Sequence, residues 1–287
     1  MLFFLTATSV AAVLLIFYFI ARESWPFLAK HGVGELLTSR QWYPEAEPPH
    51  FGALPLIAGT LYVTGGALVI AAPFGLLTAA FLSDIVPFRV RQAIKPIVEM
   101  LAAIPSVAYG FFAVLVLAPF LQKHLGLDSG TNALNASVML AVMALPTIVS
   151  VAEDSMMAVG PDLRAASYAL GATRAETVVR TVIPAAHNGI IAAVILGVMR
   201  AVGETMTVWM AAGNAAQVPA PWWNITVAVR TMTASIAGDM GETVKGSDHY
   251  RALFTIGLLL LVFTFALNLV TEHLLHRVKR RSGGMKL

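Results

Sequence analysis

Five stretches of this chain carry no charged side chain: residues 1–21, 51–83, 100–122, 129–152 and 252–271. Each reaches the roughly 20 residues that an α-helix needs to cross about 30 Å of hydrocarbon. A sixth apolar stretch, 185–212, is interrupted only by His187, Arg200 and Glu204. The expected fold class is therefore an all-α membrane protein with about six transmembrane helices.

Composition removes the alternatives. Charged residues make up 12% of the chain and hydrophobic residues 57%, against about 25% charged in an ordinary soluble protein. That is too little charge to cover a water-facing surface. The net charge of +3 is carried by short basic clusters between apolar runs, which offers no continuous face to nucleic acid. The chain has no cysteine, so disulfides, thiolate metal sites and cysteine nucleophiles are excluded. The first run lacks a basic leader, and Ala21-Arg22-Glu23 is not a small-x-small cleavage site. A retained helix is expected there rather than a signal peptide.

Six spans place both termini on one side. Arg277, Lys279, Arg280, Arg281 and Lys286 crowd the C-terminal tail, which makes that side cytoplasmic by the positive-inside rule. Arg89, Arg91 and Lys95 after the second span agree, as do Arg164, Arg174 and Arg180 after the fourth. The outer side would then hold 22–50, 122–128 and 215–251, with Trp222 and Trp223 at the lipid–water interface. The organisation read from this pattern is a first helix and outer loop over 1–50, a transmembrane body over 51–275 and a basic cytoplasmic tail over 276–287. In the second span, Pro73 with Gly65, Gly66 and Gly75 fits either a kink or close helix packing.

The segment from Val151 to Pro184 carries the most local information, and its core is a loop over about 153–184. Gly160-Pro161-Asp162 reads as a helix start, because proline suits the first turn and an early aspartate complements the helix dipole. Leu163, Ala166, Tyr168 and Leu170 follow on a short helix, which Gly171 ends. Thr173-Arg174-Ala175-Glu176 has the capping-box pattern for a second helix, with Pro184 as its limit before the fifth span. Two short helices joined at Gly171 on the cytoplasmic face suit a docking element for a partner, or else an interfacial amphipathic hairpin.

Here a family resemblance enters. Arg164-Ala-Ala-Ser-Tyr-Ala-Leu-Gly171-Ala-Thr-Arg, followed by Val182-Ile183-Pro184, resembles the coupling loop of ABC importer permeases. Ala165 stands where that family usually has glutamate, and Ile183 where it has leucine. Four further stretches occur in the order found in the phosphate transport family: Phe51-Gly-Ala-Leu-Pro-Leu-Ile-Ala-Gly-Thr60; Ile104-Pro-Ser-Val-Ala-Tyr-Gly110; Arg200 with Gly203-Glu204-Thr205-Met206 and Gly213-Asn214; and Asp239-Met-Gly-Glu242. The resemblance implies a type I (MetI-like) permease fold in a bacterial inner membrane and import of inorganic phosphate by alternating access. It also implies that Leu163, Arg164, Ala165, Ala166, Ser167, Leu170, Gly171, Ala172, Thr173 and Pro184 belong to a loop that fits a groove on an ATPase. The implied partners are a second related permease, two ATPase subunits and an extracytoplasmic phosphate-binding protein, which Asp239 and Glu242 could meet. Sulfate or molybdate is the alternative cargo.

Arg200 and Glu204 are the candidate substrate-pathway residues. A charge at mid-membrane costs about 2.5–3.5 kcal/mol on insertion scales, so two call for a reason. On one continuous helix, i and i+4 would pair. Such a pair could lock helix packing, or it could line a path. Arginine's planar fork suits a phosphate oxyanion, and Glu204 could hold it between transport events. Thr205 and Thr207 could add hydroxyl donors.

Other polar residues read as ordinary. Lys95 and Glu99 look like boundary charges and His187 like an interfacial group. His273 and His276 read as a solvated helix end rather than a metal site. No G-x-x-x-x-G-K-[ST] loop is present, and Lys245-Gly246-Ser247 lacks its glycines. No cofactor is therefore expected on this chain, and ATP with magnesium would be used by a partner. The absence of H-E-x-x-H and G-x-S-x-G motifs argues against an intramembrane enzyme. A self-contained channel or secondary transporter would leave the docking loop unexplained.

Overall fold

The structure, a computed structural model, describes residues 2–282. The side chains of the basic tail, and those of His273 and His276, lie outside the described residues. Among the described residues, six helical stretches are long and apolar enough to cross a membrane: Thr6–Thr38, Leu54–Ile85, Ser106–Leu125, Ala133–Met157, Arg174–Val202 and Asp248–Val270.

Helix α1 (Leu2–Thr38) does not stop at Ala21 but continues to Thr38, bending at Gly32, whose φ of 74° only glycine adopts readily. A short hairpin of β1 (Trp42–Tyr43) and β2 (His50–Phe51) follows. Helix α2 (Leu54–Ala80) ends in a π-helical turn, Phe81–Ile85. The third span starts later than Met100. Residues 88–103 form their own amphipathic helix α3 (Phe88–Ala103), with no buried residue. Pro105 then restarts the chain as α4 (Ser106–Phe112), which a π-helical turn joins to α5 (Ala118–Leu125). The residue before a proline avoids helical geometry, and Ile104 is extended at ψ 129°.

The fourth span, α6 (Ala133–Met157), is the most buried of the six and forms the axis of the core. The core is built from small residues: Ala67 and Ala71 of α2 and Ala136, Ala144 and Ile148 of α6 pack with Ala201 of the fifth span. Gly75 answers the question posed by the second span. A Cβ added there would meet Ile148 at 2.7 Å, so this glycine serves close helix approach.

At one end of the bundle, called here the basic end, lie α7 (Pro161–Ala169) and α8 (Arg174–Thr177). Pro184 does not end this second helix. The helix passes through a π-helical turn, Val178–Val182, into α9 (Ile183–Val202). The wider turn relieves the clash a proline makes with the carbonyl four residues back. At the opposite end, the hairpin packs with Phe27, Leu56, Met232 and Leu253. There α10 (Met206–Ala211) and α11 (Met232–Asp239) precede the last helix, α12 (Asp248–Ser282).

Candidate translocation site and docking face

The expected continuous fifth span over 185–212 is broken. Helix α9 stops at Val202 with Gly203 as its cap, Glu204 and Thr205 lie outside helix, and α10 restarts at Met206. Local competition accounts for the break. The Glu204 carboxylate accepts the Thr205 backbone N–H at 3.2 Å, and its carbonyl oxygen accepts the Thr233 hydroxyl of α11 at 2.7 Å. A side chain that binds its own backbone offers an alternative to the helix ladder. Arg200 and Glu204 therefore do not share a helix face, and no ion pair joins them among the described residues.

Arg200 sits in the last turn of α9, where a cation complements the helix dipole. It is half-buried, and its Nε donates to the Met143 carbonyl of α6 at 3.1 Å. The two terminal amino groups of the guanidinium have no hydrogen bond to protein among the described residues. Thr207 is fully buried and committed: its hydroxyl donates to the Ser106 carbonyl at 2.8 Å and lies 3.2 Å from the Met143 sulfur. Of the two threonines, only Thr205 remains half-exposed. The break thus gathers Arg200, Glu204, Thr205 and Thr207 where the restart of the third span, the fourth span and α11 meet.

The two short helices expected after the fourth span have the local geometry read from the sequence. Gly160 precedes Pro161 and Asp162, Gly171 has φ 85°, and Thr173 and Glu176 make both bonds of a capping box. The Ser167 and Thr177 hydroxyls, 2.9 Å apart, tie the two short helices together. Helix α7 buries no residue; Leu163, Ala165, Ala166 and Tyr168 are exposed, and Leu170 at its tip is 89% exposed. Ala172 is half-buried.

Arg164 behaves differently from the rest of this helix. It turns inward, its Nε donating to Asp84 Oδ1 at 2.7 Å and its second amino group to Asp84 Oδ2 at 3.3 Å. It also donates to the carbonyls of Met156, at 2.8 Å, and Val159. Lys95 is no loose boundary charge either: its ammonium lies 2.5 Å from buried Glu153 and 2.6 Å from Asp154. Burial pulls the Lys95 pKa down, but these two carboxylates outweigh it and raise it above the ordinary lysine value. Glu99 also has a partner, accepting the Ser150 hydroxyl at 3.5 Å. The sequence reading missed Asp84 and Glu153. The only sequence mark on Asp84 is that it follows the charge-free run 51–83, and that mark names no partner.

At the hairpin end a cavity of about 540 Å³ is lined by Tyr43, Glu45, Gln217, Arg230, Asp239 and Glu242, among others. Asp239 is held internally by Arg230 at 2.5 Å and His249 at 3.5 Å. Burial raises its pKa, but His249 and Arg230 outweigh that and leave the carboxyl below its ordinary value. Glu242 is exposed. No group of acidic or histidine side chains could hold a metal ion among the described residues.

Comparisons with known proteins bear on the family and the fold. Residues 71–280 match the model of the binding-protein-dependent transport system inner membrane component family. A probable ABC transporter permease, YqgH of Bacillus subtilis, is 39% identical over 85% of this chain and 78% of its own. The phosphate transport system permease protein PstC of Mesorhizobium japonicum is 35% identical over 91% of this chain and 83% of its own. The PstC protein of Haemophilus influenzae is 32% identical, with 91% and 86% covered. Among solved structures, a chain of a bacterial alginate ABC transporter in complex with alginate pentasaccharide-bound periplasmic protein superposes with a TM-score of 0.66. That match covers 96% of this chain and 94% of the other at 17% identity, which speaks to the fold alone. A chain of the inward-facing MetNI methionine ABC transporter gives 0.58 at 19% identity, covering 77% and 93%. A multi-pass membrane chain with this match, these relatives and this fold belongs to the family of binding-protein-dependent transport system inner membrane components.

Proposed function

We propose that this chain passes inorganic phosphate into the cytoplasm as one permease subunit of an ATP-driven importer, with Arg200 as the residue that meets the anion. The observation that carries this reading is the unpaired guanidinium at a break in a membrane helix. An arginine there keeps its charge at any working pH and presents paired donors to an oxyanion. Broken helices serve transporters in this way, because irregular backbone is tolerated where it lines a cavity. Glu204, four residues on, whose carboxylate accepts only the Thr205 N–H among the described residues, is the group that would expel the anion by competing for Arg200. The half-exposed Thr205 hydroxyl, which donates to the Gly203 carbonyl at 3.4 Å, would turn from that long bond to the anion, while Thr207 fixes the restart after the break.

In this reading the basic end faces the cytoplasm, with both termini on that side of a bacterial inner membrane. The exposed surface from Leu163 to Leu170 enters a groove on an ATPase, which binds ATP and magnesium; this chain holds neither. A second related permease would complete the pathway and two ATPase subunits would drive it. A phosphate-binding protein would dock over the cavity at the hairpin end, meeting exposed Glu242 and the rim beside Asp239.

The test is ATP-dependent uptake of labelled phosphate into vesicles holding the assembled complex, with sulfate and molybdate as competitors. Uptake that needs ATP and ignores both competitors supports phosphate as cargo. Uptake suppressed by sulfate or molybdate reassigns the cargo, and uptake without ATP removes the importer reading.

A further inference from the structure

Helix α7 has no buried residue of its own, so besides its short chain connections and the Ser167–Thr177 hydroxyl pair, movement passes from it to the membrane helices through specific side-chain contacts. We propose that the Arg164–Asp84 pair is the latch that makes those contacts: Arg164 is a positioning residue that carries the movement of the docking helix into the second and fourth spans. The proposal rests on the importer reading above.

The geometry favours a tie over a docking contact. Asp84 lies in the π-helical turn ending the second span, with 4% of its side chain exposed, and Arg164 is only 17% exposed. Both carboxylate oxygens accept from the guanidinium, and the Ser83 hydroxyl adds a third bond at 2.7 Å. The rest of the fork donates to the carbonyls of Met156 and Val159, at and just past the end of α6, and the Met156 carbonyl also accepts the Val159 backbone N–H at 3.2 Å. One side chain thus binds the docking helix to two spans at once. Parting a buried pair leaves an uncompensated charge, so the joined parts move together.

A second clamp continues the tie. Lys95 of α3 bridges Glu153 and Asp154 of α6, and Arg91 lies 3.9 Å from Glu153. Helix α3 leads through Pro105 to Ser106, whose carbonyl receives the Thr207 hydroxyl. Thr207 lies in the first turn of α10, the restart after the break that follows Arg200. Every step from α7 to the break is therefore a named contact or a short piece of helix.

The experiment uses the whole complex in lipid vesicles and measures phosphate moved per ATP hydrolysed for wild type, Asp84→Asn, Arg164→Gln, and the exchanged pair Asp84→Arg with Arg164→Asp. The expected result is an ATPase that stays bound and active in both single variants, with the transport-to-hydrolysis ratio down about tenfold, and partial recovery in the exchanged pair. A wild-type ratio in the single variants overturns the latch, as does loss of the ATPase from the complex or strictly additive losses in the exchanged pair. A cargo-independent arm separates this from failure of the phosphate reading. The chain is free of cysteine, so Thr205→Cys gives a single labelling site at the break. ATP should change its maleimide labelling in an otherwise wild-type chain and leave it unchanged with Asp84→Asn. An equal change in both overturns the latch whatever the cargo is.

Discussion

The charges at the basic end and the charges at the break are held in opposite ways. Asp84 and Glu153 each meet a cation from another element, so that three helices and the docking loop are tied together. At the break, Arg200 touches a backbone carbonyl and Glu204 its neighbour's backbone N–H, and the two do not meet. A paired buried charge is costly to separate and makes a joint. A charge held at one atom, with the rest of its fork open, makes a place where a ligand can come and go. In the roles proposed above, the first arrangement would transmit movement and the second would exchange a ligand.

The largest effect is expected at Arg200. Arg200→Ala should lower phosphate uptake by on the order of 100-fold while the complex assembles and keeps its ATPase, because the charge-assisted donors have no substitute. Arg200→Lys should recover little, since an ammonium lacks the planar fork. Next comes the latch: Asp84→Asn should leave hydrolysis running and reduce transport per ATP by about tenfold. Third, Leu170→Asp places a charge on the exposed tip of α7 and should weaken retention of the ATPase by about tenfold in co-purification, without changing the fold of the chain.

The smallest effect concerns pH at the hairpin end. Asp239 has a folded pKa below its unfolded one, so its stabilising contribution is complete above about pH 4 and is lost as pH falls through the lowered value. The melting temperature of the purified chain should therefore lose this contribution only below about pH 4, and Asp239→Asn should show less of that acid loss. An Asp239→Asn chain with an unchanged acid profile would show that Arg230 and His249 add nothing there.

What the sequence made legible follows from the range of the interactions involved. Charge-free runs report helices directly, and Thr173 with Glu176 reports a capping box, because both signals are local. Gly171 and Pro161 fixed the docking loop for the same reason. The break at Gly203 was not legible, because glycine within an apolar run is common in membrane helices. What settles it here is a hydroxyl from Thr233, distant in sequence. Pro184 misled in the other direction: a π-helical turn upstream absorbs the clash that would otherwise end the helix. The Asp84–Arg164 pair spans 80 residues, and nothing near either residue announces it. Lys95 and Glu153 were visible as charges but not as partners, since pairing is set by tertiary approach of α3 to α6.

The most direct measurement of the central claim is ATP-driven uptake of labelled phosphate by the assembled complex, wild type against Arg200→Ala, with ATPase content measured in the same vesicles. The account predicts collapse of uptake with ATPase content unchanged. Normal phosphate uptake by Arg200→Ala would contradict it, and would make the open guanidinium at the break a feature of helix packing alone.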